Sequence, residues 1–369
     1  MKKLSEKHRL RNIRRCRRLQ LKHSRFKRTR KGQTELLTRQ IQRFYGAVKK
    51  FPERTIRPNA VGDLARTLPA PTTLSMTRNF SETLGFIYGA RELMWSRNPK
   101  LPYWVLDFST IESIGPAAAL VLAAELDRFS MEVGARLSPY INTWQPQVRS
   151  MFHELGLLPF LGLQQYPAPP ASSAPTLRFL KLMSSRATDG STADHLRNSL
   201  ENLSGKKLSA PKAAYSAICE AMTNAVQHAY KSPATAWPAR YVRKWWATGA
   251  FNQQNQSIHL FVYDQGVGIP STLPKSSVWN QLKRFRRESD DASLIDAAID
   301  ARRSSIGTVG RGHGLLDIVS IIDQEKQGRL RIISGAGEVL YEPGEKRTRK
   351  KLDGSLLGTL IEWEFPTNE

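Results

Sequence analysis

The stretch EAMTNAVQHAY at residues 220–230 is followed by DQGVGI at 264–269 and by GRGHGL at 310–315. Each stretch begins about 45 residues after the one before it. Glycines ahead of a helix expose backbone N–H groups, and a helix N-terminus favours negative charge, so the third stretch is typical of a phosphate site. The order and spacing of the three stretches indicate a nucleotide-binding domain in the second half of the chain.

The first stretch belongs to residues 211–230, which have helical periodicity. Glu220, Asn224 and His228 stand four residues apart, and this spacing predicts that they share one helix face. An asparagine is a neutral oxygen ligand that leaves room around Mg²⁺ for water and phosphate oxygens. A carboxylate one turn earlier can orient or deprotonate an attacking group. For His228 two interpretations stay open, a phosphate contact or packing at the helix end.

These stretches resemble the N box, G1 box and G2 box of the GHKL superfamily, which includes histidine kinases, gyrase-type ATPases and anti-sigma-factor kinases. The resemblance implies a Bergerat-type α/β sandwich over residues 176–366, with a mixed sheet on helices, that binds ATP and Mg²⁺. It implies that Glu220 is the catalytic residue and that Asn224 is the Mg²⁺ ligand. It also implies that Asp264, at the end of a strand predicted over 258–263, accepts a hydrogen bond from the adenine amino group.

The resemblance assigns the remaining nucleotide contacts to glycines and one threonine. Gly266 and Gly268 are expected to let the chain pass close to the nucleotide, where side chains would collide. Thr359 is expected to help fix Asp264 through a water molecule. The expected phosphate contacts are Gly310, Gly312 and Gly314, with Arg311 and His313 as further candidates, although packing accounts for His313 equally well.

Residues 271–306 lie where the superfamily keeps its ATP lid. The segment is long and strongly charged, and long loops of this kind often close over ligands. Its basic residues either contact the triphosphate or a partner, or are simply solvated.

A smaller α/β domain is predicted over residues 70–165. It contains a strand candidate at 103–108 and a helix start at 114–122 with a proline near its first turn. This pattern resembles a STAS domain, the fold of anti-sigma-factor antagonists, and an unrelated α/β module is the alternative. Gly115 and Pro116 occupy the positions where that family carries its phosphorylated serine. The resemblance therefore implies a module that docks a protein partner or senses a signal, without phosphorylation at that site.

The net charge of +24 is concentrated at the N-terminus, because residues 1–31 hold 15 Lys and Arg and a single acid, Glu6. We expect a basic, disordered tail over residues 1–33 that contacts nucleic acid or another polyanion. The alternative is a solvated arm with no specific ligand. A helix and linker are predicted over 34–69, and a proline-rich linker over 166–175.

Other classes of protein are disfavoured by the sequence. Two cysteines far apart fit a reducing compartment, and the longest apolar run, 114–124, is too short to span a bilayer. The chain has no Gly-Lys-Ser/Thr phosphate loop, no clustered Cys/His metal motif and no Gly-x-Ser-x-Gly elbow. We expect a cytoplasmic protein without a transmembrane segment.

These features predict two alternative functions in which ATP is bound and used. In the first, Mg-ATP binding, with hydrolysis or phosphotransfer to a partner Ser or Thr, switches the interactions of a regulatory protein similar to an anti-sigma-factor kinase. In the second, a GHKL ATPase acts on nucleic acid through its basic tail. A third interpretation is a nucleotide-binding adaptor that does not turn over its ligand.

Overall fold

The computed structural model describes residues 55–58, 64–95, 103–133, 141–161, 163, 177–230, 243–272, 290–303 and 314–367. These residues form a mixed α/β structure built on a six-stranded antiparallel sheet, with a three-stranded mixed sheet and a short parallel pair beside it. Within these ranges, none of the helices combines the length and hydropathy needed to cross a bilayer. The predicted tail, the helix that follows it and the proline-rich linker lie outside the described residues.

The N-terminal part, residues 55–161, packs helices against a small sheet. Its central strand, residues 64–69, is antiparallel to the strand at 55–58 and parallel to the strand at 103–107. Two short strands, 73–74 and 113–114, form the separate parallel pair. The elements are β1 (Thr55–Pro58), β2 (Leu64–Pro69), β3 (Thr73–Leu74), α1 (Phe80–Trp95), β4 (Tyr103–Asp107), β5 (Ser113–Ile114), α2 (Pro116–Val133) and α3 (Pro146–Glu154), with 3₁₀ turns at Ile141–Thr143 and Leu158–Leu161.

This arrangement corrects the expected boundary at residue 70. The sequence predicts a helix and linker over 34–69, yet β1 and β2 lie inside that range and pair with each other and with β4. The α/β unit therefore begins before residue 70. Sequence periodicity could not reveal these strands, because β2 is stabilised by parallel pairing with a strand more than 30 residues later.

The C-terminal part, residues 177–367, contains the large sheet. Its elements are β6 (Leu177–Phe179), β7 (Met183–Ser185), α4 (Gly190–Ser204), α5 (Pro211–Asn224) with a π-helical turn (Ala225–Ala229), β8 (Trp245–Asn252), β9 (Ser257–Asp264), α6 (Ile269–Thr272), α7 (Asp291–Arg303), α8 (Gly314–Glu325), β10 (Arg329–Tyr341) and β11 (Thr348–Pro366). The strands lie in the order β10-β11-β9-β8-β6, and β7 also pairs with β8. The two long hairpins meet where β9 pairs with β11.

The large sheet is covered on both faces. Successive side chains of β9 point to opposite faces of the sheet. On one face, Leu260 and Val262 pack into a core with helices α4, α5, α7 and α8. Phe261 and Tyr263 belong to a second core that contains side chains of α1 and α2. The apolar run 258–263 is therefore buried from both sides, as expected for a central strand that reads as almost continuously hydrophobic. The N-terminal part forms one layer of this packing.

The segment expected to be an ATP lid is partly a packed helix. Within 271–306, residues 291–303 form α7, whose Ile295 and Ile299 are fully buried in the helix-side core. Asp290 caps it by accepting a hydrogen bond from the Ser293 N–H at 2.9 Å. The lid expectation is thereby restricted to 273–289 and 304–306, which lie outside the described residues.

The shared core predicts a single cooperative unfolding transition. Leu84 of α1 is fully buried and lies beside Gly354 of β11, so Leu84→Ala should lower the free energy of unfolding by about 2–5 kcal/mol. The loss should move the whole transition, as measured by denaturant titration with far-UV and tryptophan signals together. Lys212→Ala, at an exposed position of α5, is the control. Two separate transitions, with only the first shifted, would contradict the shared core.

Candidate functional site

Asp264 ends strand β9 and points away from the N-terminal part. Its carboxyl is held by backbone donors: the Gly266 N–H donates to Oδ1 at 2.8 Å, and the Thr359 N–H bonds the carboxyl as well. Thr359 lies directly opposite Asp264 in the pairing of β9 with β11. Two of the residues assigned to the nucleotide site thus fix the position of a third.

Burial sets the protonation of this carboxyl. Asp264 is only 8% exposed, and desolvation raises its pKa to about 7, against the opposing effect of the two backbone N–H donors. Neutral and ionised forms are therefore both populated near neutral pH. A carboxyl poised in this way costs folding free energy when it is ionised, which is typical of a group kept for binding or chemistry.

A buried serine joins the strands around Asp264. Ser334 of β10 is fully buried, and its hydroxyl donates to the Gly358 carbonyl and accepts from the Ile269 N–H, each at 2.9 Å. Its oxygen also lies 3.0 Å from the Thr359 hydroxyl. One side chain thereby links β10, β11 and the turn that follows Asp264.

A β-bulge follows Ser334 in the pairing of β10 with β11, and its extra residues lie on β11. The register shifts on both sides of Gly335, and the Ala336 N–H donates to the Asp291 carboxylate at 2.7 Å. The N-terminus of α7 thus fills the bulge. Bulges occur preferentially beside active sites, where they redirect side chains.

Close packing within the protein explains Gly266, Gly268 and Gly358. A Cβ on Gly266 would lie 2.4 Å from the Ala229 carbonyl oxygen, and one on Gly268 would lie 2.8 Å from the Ser334 hydroxyl. Gly358 has a φ of +89°, and its Cβ would overlap the Asp264 carbonyl. The first two glycines were expected to make room for a nucleotide, whereas the described contacts that require them are to neighbouring chain segments.

The helix that carries Glu220 and Asn224 changes its hydrogen bonding just after Asn224. Helix α5 ends there and a π-helical turn, Ala225–Ala229, continues it. The turn delivers the Ala229 carbonyl to the Val267 N–H, which donates to it at 2.9 Å. Isolated π-turns inside helices frequently mark functional sites. Here the turn connects the first of the three sequence stretches to the second.

The π-turn also changes the expected helix face. Glu220 and Asn224 lie one turn apart at the end of α5 and are both half-buried. His228 lies in the π-turn, where i→i+5 hydrogen bonding replaces the α-helical repeat. Glu220 and Asn224 are separated by one α-helical turn, as predicted, and the prediction that His228 shares their face stays a prediction.

Tyr230 follows the π-turn and bonds the residue after Asp264. Its hydroxyl donates to the Lys244 carbonyl at 2.6 Å and accepts from the Gln265 N–H at 2.9 Å. Burial, reinforced by the Asp264 charge, raises the pKa of Tyr230 well above its usual value, so the hydroxyl stays protonated and can keep donating. Asp264 is thus supported from β11 and β10 on one side and from the end of helix α5 on the other.

The third sequence stretch is only partly described. Gly314 begins helix α8, which packs against α5, and the Trp363 indole N–H of β11 donates to the Ile318 carbonyl in α8 at 2.9 Å. Gly310, Arg311, Gly312 and His313 lie outside the described residues. Across the described ranges, no three His, Cys, Asp or Glu side chains group closely enough to hold a metal ion. A Mg²⁺ ion held by Asn224 and phosphate oxygens would not need such a group.

Three residues that support Asp264 were not among the predicted site residues. They are Ser334, Gln265 and Gly358. Gln265 lies inside the second stretch and Gly358 beside Thr359, so their positions carried a signal. Ser334 carried none, because a serine near the end of a predicted strand is unremarkable.

A comparison with protein-family models gives no match to this chain, and a comparison with curated proteins gives none either.

The raised pKa of Asp264 predicts a pH-dependent stability. The folded protein holds this proton up to about pH 7, whereas the unfolded chain releases it near pH 3.8. Its contribution to stability is therefore fully present below about pH 3.8 and is lost as the pH rises from there to about 7, by up to about 4 kcal/mol in total. Denaturant titrations of the wild type and Asp264→Asn at pH 5, 6, 7 and 8 should show the variant gaining relative stability as the pH rises. A difference that is independent of pH would contradict the assignment.

The close contact of Gly266 with the π-turn predicts that a methyl group added at residue 266 destabilises the protein. Gly266→Ala should cost about 1–3 kcal/mol of stability, because its Cβ would collide with backbone and not with a flexible side chain. Gly115→Ala is the matched control, since its Cβ would meet nothing closer than 3.7 Å. Thermal unfolding of the two variants measures the contrast, and equal melting temperatures would argue against the close approach of residues 229 and 266.

Proposed function

We propose that this chain is an ATP-binding regulatory protein in which residues 177–367 hold Mg-ATP. The observation that carries the proposal is the buried Asp264 carboxyl, fixed by the Gly266 and Thr359 N–H groups at the end of a central strand. A fixed acceptor of this kind suits the exocyclic amino group of adenine, which is a hydrogen-bond donor. The three sequence stretches that resemble the GHKL boxes support the same ligand.

The residues around Asp264 fit the remaining parts of the ligand. Asn224 would supply an amide oxygen to Mg²⁺, and Glu220, one turn earlier on the half-buried end of α5, would orient or deprotonate the group that attacks the γ-phosphate. The glycines at 310–314 ahead of α8 would offer N–H groups to the phosphates. On this proposal the protein is an ATPase or a protein kinase that acts on a partner Ser or Thr.

The proposed regulatory role rests on the N-terminal part. Its mixed sheet and helices are compatible with the STAS-like module inferred from residues 70–165, which would dock a protein partner. This module covers one face of the large sheet through α1 and α2. Nucleotide binding in the C-terminal part would then change the docking of the partner.

The alternative is a GHKL ATPase that acts on nucleic acid. It is favoured by one observation, the 15 Lys and Arg of residues 1–31. If about six of these met phosphates, the affinity would fall with salt with a logarithmic slope of about −5. Binding to duplex DNA or RNA that is lost on removal of residues 1–31 would support this alternative.

Calorimetry with Mg-ATP at pH 8 tests the proposal. The wild type should bind, and Asp264→Asn and Asn224→Ala should each weaken binding by about tenfold or more, because each removes one ligand contact of about 1.5–3 kcal/mol. Glu220→Ala should keep binding and lose phosphate release or transfer. Ser216→Ala, at an exposed position on the same helix, is the control. A wild type that binds no nucleotide overturns the proposal.

Affinity for ATP should also depend on pH. Only the ionised form of Asp264 accepts freely from the adenine amino group, and its pKa lies at about 7. We expect the affinity to rise between pH 6 and pH 8, by about tenfold at most per pH unit below the pKa. Binding that is equally strong at both values would contradict a base contact at this carboxyl.

A further inference from the structure

We infer that the N-terminal part is a positioning element of the nucleotide site, acting through Glu125 of α2 and Gln265 of the turn after β9. The inference rests on the proposed function and adds to it a residue pair that sets how Asp264 faces the base. Its observations are a buried charged cluster, a direct hydrogen bond from that cluster to Gln265, and a second anchor on β11.

The charged cluster lies between the two parts of the chain. Glu125 is 1% exposed and receives two hydrogen bonds from Arg91 of α1, Nε to Oε1 at 2.9 Å and Nη2 to Oε2 at 2.6 Å. Arg128, one turn further along α2, donates to Oε1 as well. A carboxylate gripped by two guanidinium groups in a dry environment has little freedom to move. The cluster is therefore a rigid reference point on α2.

Gln265 is attached to this reference point by its side chain. Its Nε2 donates to Glu125 Oε2 at 3.0 Å, and the residue is 1% exposed. Side chains alternate along an extended chain, so Gln265 faces the N-terminal part while Asp264 faces the opposite side. The two residues share one peptide group, and a rotation of Gln265 would turn the Asp264 carboxyl. Glu125 thus limits the orientation of the base-reading side chain from outside the C-terminal part.

A second anchor acts on the other strand at Asp264. The Tyr88 hydroxyl of α1 donates to the Ser355 carbonyl at 2.6 Å and accepts from the Leu357 N–H at 3.0 Å. These bonds lie just before Gly358 and Thr359, and Thr359 pairs with Asp264. Helices α1 and α2 therefore hold both chain segments that form the base site.

A second set of contacts runs from α2 through Lys244 toward the π-turn. Asp127 Oδ2 accepts from the Lys244 ammonium at 2.8 Å and from the Trp246 indole N–H at 2.7 Å. Lys244 in turn offers its carbonyl to Tyr230, whose hydroxyl bonds the Gln265 N–H. The Gln265 peptide is thus reached from α2 by two routes, one through its side chain and one through its backbone.

Substitution of Gln265 separates positioning from simple packing. Glu125 is a poor target, because its loss would leave two buried guanidinium groups without their carboxylate and could unfold the protein. Gln265→Met keeps the volume and removes the hydrogen bond, and Gln265→Asn keeps an amide that is too short to reach Glu125. Thr77→Val is the matched control, since it removes another hydrogen bond between the two parts, from Arg331 Nη1 to the Thr77 hydroxyl at 2.9 Å.

The readout is the ratio of ATP affinity to GTP affinity at pH 8, by calorimetry, with melting temperatures measured in parallel. Guanine carries an acceptor where adenine carries its amino donor, so this ratio reports the orientation of Asp264. Both Gln265 variants should reduce the ratio by about tenfold or more, as expected for a misdirected charged hydrogen bond. Thr77→Val should leave the ratio unchanged.

Each result has a defined meaning. A lowered ratio in folded Gln265 variants, with Thr77→Val like the wild type, supports the inference. Variants with a lower melting temperature and an unchanged ratio overturn it, because Gln265 would then serve packing alone. If the wild type itself binds neither nucleotide, the proposed function fails and this inference fails with it.

Discussion

The pairing of β9 with β11 at Asp264 and Thr359 is the constraint on which the rest of the structure depends. It places a carboxyl at the end of a strand that is buried from both faces, where water cannot stabilise the charge. Gly358 with its positive φ allows the two strands to approach at this point, and Ser334 ties the third strand to them. The raised pKa of Asp264 follows directly from this geometry.

The large sheet is covered on both faces, and this couples the helices of the N-terminal part to those of the C-terminal part. Helices α4, α5, α7 and α8 pack on one side, and α1 and α2 pack on the other, so that a change on either side is transmitted to the same strands. The buried cluster of Arg91, Glu125 and Arg128 also fixes the orientation of the packed side chains, because hydrogen bonds restrict orientation and apolar contacts do not. On the proposed function, the N-terminal part would be a structural component of the nucleotide site as well as a docking module.

Sequence patterns predicted the local elements around the site and missed the long-range ones. The helix at 211–230, the strand at 258–263 and the helix that follows the third stretch were indicated by periodicity and glycine positions. The π-turn could not be foreseen, because its i→i+5 bonds depend on the contact between Ala229 and the turn after Asp264. Helix α7, which lies inside the expected lid, was not predicted, and neither were strands β1 and β2. The reason is related, since each of these elements is stabilised by partners far away in the chain.

The candidate site divides in the same way. Asp264, Gly266, Gly268 and Thr359 were predicted from their motifs, and the structure brings them together by direct hydrogen bonds and close contacts. Glu125 offered no such signal: in the sequence it only interrupts an apolar run on α2, and its burial between two arginines is a property of the folded interface. Charged residues of this type become interpretable only when their partners are known.

Hydrogen exchange of backbone amides with and without Mg-ATP tests the central claim most directly, because it locates the ligand without any substitution. The account predicts slower exchange in peptides that cover residues 224–230 and 265–269 when Mg-ATP is present. Peptides from the hairpin tip at 342–347 should exchange at the same rate in both conditions. Binding that leaves 265–269 unaffected, and slows exchange elsewhere instead, would contradict the assignment of this turn as the base site.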